Sequence, residues 1–207
     1  MKTMRIVAFD PGVTNLGVCV LDDDSRTCPH LDVVPADDID TFIDTMRRFE
    51  PEISKADIVA IESQPPINRD ATRILNWIVL FTKLHSRASI VFVSPATRLK
   101  RTRLVVDVPK SAPYRVRKAA SVDAATRLLN DRYTSDVVDG VWGRVNEKRD
   151  DAADAFLIAL IASERTEKIN KNEHDPRPQK RAPSEQIERI GRRVRPARSR
   201  ARLLENR

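Results

Sequence analysis

Two short runs constrain this chain more than any other feature. Residues 56–62 (ADIVAIE) and 89–95 (SIVFVSP) are each built around four consecutive apolar residues. Runs this short, bounded by turn formers, suit strands covered on both faces rather than buried helices. A sheet that holds them needs helices on each side. Residues 4–10 and 16–22 are two further apolar segments separated by PGVTN, which reads as a hairpin, and LDVVPA (31–36) adds a third antiparallel strand. Residues 38–50 place Ile39, Phe42, Ile43 and Met46 on one helical face, and Pro51 is expected to end that helix. Residues 69–86 carry a wide apolar stripe (Ile74, Leu75, Ile78, Leu80, Phe81, Leu84) and read as a core-facing helix. The stretch 96–113 is basic and reads as irregular. Residues 114–130 are helical with Val122, Ala125 and Leu129 inward, 131–147 read as a loop, and 148–165 form a helix with an acidic start and an apolar body. The order predicts an α/β fold: a five-stranded mixed sheet, three antiparallel strands then two parallel, with helices on both faces.

Charge divides the chain of 207 residues into two domains. The net charge is +7, yet residues 165–207 hold 14 Lys and Arg against 6 Asp and Glu, while 1–164 hold 23 against 24. The expected organisation is a neutral folded domain, 1–164, and a basic Arg/Pro-rich tail, 165–207, mostly disordered with a short helix near 184–195. A basic appendage on a neutral body points to a polyanion, above all nucleic acid, with a solubilising tail as the plainer alternative. No run approaches the roughly 20 apolar residues of a membrane span, and no secretory leader opens the chain. Cys19 and Cys28 have no metal-ligand spacing. The expectation is an intracellular protein, neither secreted nor membrane-bound.

Four acids stand beside apolar structure rather than in charged surface runs. Asp10 ends the first strand and Glu62 ends IVAIE; Asp151 and Asp154, three apart, share a face near the start of the last helix. Each has a plain explanation alone: a turn cap before Pro-Gly, a first loop residue, acids favouring a helix dipole. If the strands bearing Asp10 and Glu62 are neighbours and the last helix crosses their ends, the four carboxylates converge. Converged carboxylates repel, and hard divalent cations are the usual remedy. A pair of such ions can activate water and stabilise the leaving oxygen of a phosphodiester. Arg98, Lys100, Arg101 and Arg103, in the expected loop after VSPA, are placed to track phosphates.

FDPGVTNLG, IESQP and KRDDAADA, in this order and spacing, resemble the RuvC-like Holliday junction resolvases of the ribonuclease H superfamily, over about residues 5–163. The poxvirus, giant-virus and mitochondrial branch looks most similar. The resemblance implies a ribonuclease H-like fold and an Asp-Glu-Asp-Asp metal site on Asp10, Glu62, Asp151 and Asp154, with Asp10 bridging two Mg²⁺ ions and Mn²⁺ able to substitute. Asp150 lies at another helical angle and ranks as a substitute, not a ligand. The stretch YRVRKAAS matches the branch's Tyr-x-x-basic-Lys, giving Tyr114, Arg117 and Lys118. Lys118 is the candidate for stabilising phosphate charge in the transition state, with a DNA-backbone contact or an exposed helical lysine as the alternatives. Gly12 and Gly17 would allow a tight turn and close approach of the DNA backbone. Asn15, in the same turn, and Gln64, which matches the branch without a derivable role, join the DNA-contacting set.

The expected function is thus a Mg²⁺-dependent, structure-selective endonuclease cutting four-way junctions, acting as a homodimer with no nucleotide cofactor. Helix 69–86 is a candidate for the dimer face, with core packing as its alternative. Three rival readings stand beside it. An ATPase of the actin and hexokinase type needs glycine pairs, and the five glycines (12, 17, 140, 143, 191) include no adjacent pair. A nuclease for flaps, RNA–DNA hybrids or precursor RNA would keep the fold and change the substrate. A catalytically dead binding module fits poorly with all four acids present.

Overall fold

The computed structural model describes residues 4–132, 140, 142–143 and 148–173, with side chains as far as 166. Five strands, β1 (Arg5–Pro11), β2 (Asn15–Asp22), β3 (Thr27–Pro35), β4 (Ile58–Glu62) and β5 (Ser89–Val93), form one sheet in the order β3-β2-β1-β4-β5. β1, β2 and β3 pair antiparallel, while β4 joins β1 and β5 joins β4 in parallel. Among the described residues the strands are accompanied by α1 (Ile39–Lys55), α2 (Arg69–His85), α3 (Pro95–Val105), α4 (Tyr114–Arg132) and α5 (Arg149–Glu173).

Strand parity divides the core into two layers. Ile6 and Ala8 of β1, Cys19 and Leu21 of β2, and Ile58 and Ala60 of β4 pack with α4 and α5, around Leu128, Leu129, Phe156 and Leu160. The alternate residues, Val7 and Phe9, Leu16, Val18 and Val20, and Val59 and Ile61, pack with α1 and α2 around Phe42, Met46, Phe49, Ile74 and Ile78. The central strands are therefore apolar on both faces, as the expected α/β layering requires. Cys19 and Cys28 are buried with their sulfurs 3.9 Å apart and unbonded.

Four expectations need correction. The first helix does not stop at Pro51 but runs to Lys55. Proline removes one backbone donor, but Phe49 and Ile53 are fully buried, so packing holds the last turn in place. β5 is an edge strand rather than a fully buried one; only Val93 is buried and Phe92 is 48% exposed. The stripe on α2 narrows to Ala71, Ile74, Ile78 and Thr82, leaving Leu80 and Leu84 exposed. Residues 96–113 are not wholly irregular, because α3 fills 95–105. Its start is legible afterwards: Ser94 accepts from the Thr97 backbone N–H as N-cap and Pro95 sits at the first helical position. α5 continues across 164/165 to Glu173, and the remainder of the tail lies outside the described residues, as does most of 131–147.

Gly17 sits mid-strand in β2, opposite Asp10. A Cβ there would meet the Asp151 carbonyl oxygen at 2.3 Å, so the glycine admits the first turn of α5 onto the sheet. The close approach expected for DNA is made at this position by the chain's own backbone. Because the obstacle is backbone on a packed helix, Gly17→Ala should cost about 1–3 kcal/mol of stability, the usual range for an overpacked core. Urea unfolding measures this, and an unchanged midpoint would show that α5 moves freely at its start.

Candidate active site

β1 and β4 are neighbours with Phe9 level with Ile61, so Asp10 and Glu62 follow side by side at the carboxyl ends of two central parallel strands. By parity with Ala8 and Ala60 both side chains belong to the α4–α5 face. α5 begins there because Gly17 admits it, and its first turns carry Asp151 and Asp154. The sheet and one helix thus bring together the four acids expected to converge. They line a cleft of about 480 Å³ shared with Gly12, Gln64, Arg98, Tyr114, Arg117 and Lys118. Asn15, Lys100, Arg101 and Arg103 do not line it. The Asn15 carbonyl accepts from the Gly12 N–H at 3.0 Å to close the turn, and its side chain donates to Thr14.

Two cations sit among the acids. Arg98, on α3, donates from Nε to Glu62 Oε1 at 2.6 Å, and its Nη1 contacts Asp154 Oδ1. The second contact is an ion pair without hydrogen-bond alignment, so the buried Asp154 Oδ1 has no hydrogen-bond partner. Lys118, on α4, contacts Asp150 Oδ2 and donates to Asp151 Oδ1 at 3.0 Å, with its ammonium 5.4 Å from the Tyr114 ring centroid. The expectation that Arg98 and Arg101 are free cations in a loop is corrected: both lie on α3 and hold acids of this chain. Arg101 donates to Glu164 of α5 at 2.5 Å, and Arg132 of α4 reaches the same carboxylate at 3.3 Å. Lys100 is exposed, and Arg103 donates to the Pro109 carbonyl at 3.5 Å. The internal role of Arg98 was missed because nothing in VSPATRLK distinguishes an inward arginine until the Ser-Pro start fixes the helix phase.

Burial and crowding set the electrostatics. Asp10 keeps part of its surface on the cleft, yet burial first, then Asp154 and Glu62, push its carboxyl well above the ordinary range. Burial pushes Asp154 up to about 6, although Arg98 and Ser121 pull the other way. Burial alone would lower Lys118, but Asp150 and Asp151 outweigh it and raise the ammonium above its usual value. Lys118 therefore stays protonated, a fixed cation rather than a base. For Asp150, burial acts upward, but the Lys118 contact holds the carboxyl below its usual range. Asp150 thus partners the lysine, at a distinct angle from Asp154.

The donor set fits a hard divalent cation: carboxylate oxygens throughout, one of them buried with no hydrogen-bond partner. Among the described residues, no three carboxylates are drawn together closely enough to grip one ion as they stand. The Arg98 guanidinium lies between two of them, Glu62 and Asp154.

The Poxvirus A22 protein family matches residues 4–165. The chain belongs to that family. It is a family of Holliday junction resolvases, so the activity is that of an endonuclease hydrolysing phosphodiester bonds. Among solved structures, RuvC of T. thermophilus in complex with a Holliday junction substrate superposes with a TM-score of 0.55 at 15% identity, covering 80% of this chain and 96% of that one. The fowlpox virus resolvase matches in complex with Holliday junction DNA (TM-score 0.54, 21% identity, 79% and 99% covered) and alone (0.55, 19%, 78% and 99%). At these identities the likeness establishes the RuvC-like fold. No curated protein matches the chain significantly. No helix among the described residues is long and apolar enough to cross a membrane.

The Arg101–Glu164–Arg132 cluster ties α3, α4 and α5 together behind the cleft. Arg101→Ala should lower stability by about 1 kcal/mol, as expected for a partly buried ion pair. Lys100→Ala, on the exposed side of the same helix, should stay within about 0.5 kcal/mol. Thermal melts of the two variants compare them, and equal melting temperatures would deny Arg101 its structural part.

Proposed function

We propose that this resolvase cuts four-way DNA junctions with Mg²⁺ held by Asp10, Glu62, Asp151 and Asp154. The observation that carries the reading is the convergence of four carboxylates from β1, β4 and α5 in one cleft, flanked by a protonated lysine. Two such ions, when bound, would activate a water and stabilise the leaving 3′ oxygen, giving 5′-phosphate and 3′-hydroxyl ends; Mn²⁺ would substitute. Asp10, at the sheet's centre, feels Glu62, Asp151 and Asp154 together and would be the carboxylate shared by two ions. Lys118 keeps its charge and faces the same cleft, where it stabilises negative charge building on the scissile phosphate. Gly12, Gln64, Tyr114 and Arg117 line the cleft and would meet the DNA backbone there. Asn15, Lys100 and Arg103 would add contacts beyond the cleft. The enzyme would work inside the cell.

A four-way junction is two-fold symmetric, so two copies related by a dyad present two cleavage sites to it. Trp77, Leu80, Phe81 and Leu84 of α2 line a groove of about 330 Å³ with Ile39, Phe42 and Ile43 of α1, and Leu84 is 72% exposed. This face is the proposed dimer contact.

On labelled four-way junction, flap and linear duplex, Mg²⁺-dependent cutting of the junction alone is expected, and Asp10→Asn should bind the junction without cutting it. Equal cutting by the variant would remove the ion site, while cutting of flaps in place of junctions would keep the nuclease and change its substrate. Lys118→Met should slow single-turnover cleavage by about 10²- to 10³-fold with junction affinity in EDTA nearly unchanged. A matching loss of affinity would make Lys118 a backbone contact instead.

A further inference from the structure

Arg98 holds one oxygen each of Glu62 and Asp154, the oxygens that an ion shared by these two acids would use. Its side chain is 17% exposed and its guanidinium spans both acids. Resting on the metal-dependent reading above, we propose that Arg98 is a built-in counter-cation that a divalent ion must displace from Glu62 and Asp154 before the site is loaded.

Four carboxylates in one partly buried cleft need positive charge, and Arg98 supplies it from within the chain. An arginine does not shed its proton under physiological conditions, so it cannot yield to an incoming ion by becoming neutral. It must move. A divalent ion takes carboxylate oxygens at about 2.0–2.1 Å, and those oxygens are the ones the guanidinium now holds: Glu62 Oε1 at 2.6 Å, and Asp154 Oδ1. The contact with Asp154 is an ion pair without hydrogen-bond alignment. The backbone of Arg98 is settled, since α3 is capped at Ser94 and Thr102 Oγ1 donates to the Arg98 carbonyl at 3.2 Å, so the ion must free only the side chain from Glu62, Asp154 and a long 3.5 Å contact with Ser121 Oγ. The neighbouring volume is the cleft, lined also by Gln64 and Tyr114. A guanidinium turned into that cleft meets the backbone of bound DNA, where a phosphate offers the bidentate partner it has given up. Ion and DNA would then favour each other's binding, each stabilising the position of Arg98 that the other requires.

The test is Mn²⁺ affinity of the full chain without DNA, measured by electron paramagnetic resonance, for wild type, Arg98→Gln and Arg98→Lys, with melting curves in EDTA. Removing the competing charge should tighten Mn²⁺ binding about tenfold or more, lower the melting temperature in EDTA, and enlarge the rise that Mn²⁺ produces. Arg98→Lys should bind Mn²⁺ more tightly than wild type by a smaller factor, since one ammonium cannot span both acids. If Arg98→Gln does not fold, as circular dichroism reports, the lysine variant carries the test, and unchanged affinity there overturns the proposal. Equal or weaker binding by a folded Arg98→Gln overturns it alone and makes Arg98 a residue that holds Glu62 and Asp154 ready for the ion. No Mn²⁺ binding by any of the three overturns it together with the ion site of the proposed mechanism.

Discussion

Charge balance at the carboxyl ends of β1 and β4 is the constraint on which this structure turns. Asp10, Glu62, Asp151 and Asp154 face one cleft, and Asp150 lies beside them. Like charges at such separations cost of order kcal/mol per pair even with generous screening. The fold meets this with two cations from two helices: Arg98 on α3 takes Glu62 and Asp154, and Lys118 on α4 takes Asp150 and Asp151. The compensation is incomplete. Asp10 remains pushed well up and Asp154 sits near 6, so the site keeps an unmet demand for positive charge. A binding site for a divalent cation is, in electrostatic terms, such an unmet demand held in place.

Holding it in place is the work of ordinary packing. Residues two apart on a strand share a face, so Ala8 and Ala60, buried against α5, oblige Asp10 and Glu62 to emerge on that same face. The run AFLIALIA of α5 is buried almost throughout, which fixes the helix axis, and Gly17 fixes its distance from the sheet. The Arg101–Glu164–Arg132 cluster then joins α3 and α4 to the far side of α5. None of these contacts touches the reacting groups, yet each decides where one of them stands.

The strands and the acids were legible in the sequence because both signals are local. Apolar runs bounded by turn residues mark buried strands whatever their partners, and an acid that ends such a run is conspicuous. The antiparallel hairpin, the third strand and the face of Val122, Ala125 and Leu129 followed from period alone. What failed was decided by partners. Pro51 reads as a stop until Phe49 and Ile53 are seen to be held by the core. SIVFVSP reads like ADIVAIE, although only the latter has strands on both sides. Leu80 and Leu84 belong to the α2 stripe by spacing, but they face the groove beside α1 rather than the sheet and stay exposed. The roles of Arg98 and Arg101 were hidden in a basic stretch whose composition says surface, because their direction depends on a helix phase set by Ser94 and Pro95.

Arg98 shows why the misread stretch matters most. A charge run is ordinarily a solvated face, and Lys100 on the same helix conforms to that rule. Less than one turn of helix separates exposed Lys100 from the arginines that meet Glu62 and Glu164. The same short helix thus carries one cation that neutralises the cleft, one that ties the fold behind it and one that faces solvent. An insertion or deletion of a single residue before Arg98 would rotate all three by about 100°, exchanging the counter-cation for a neutral leucine or threonine while leaving composition and net charge nearly the same. Function here resides in the phase of α3, a quantity that neither composition nor the acidic motifs record.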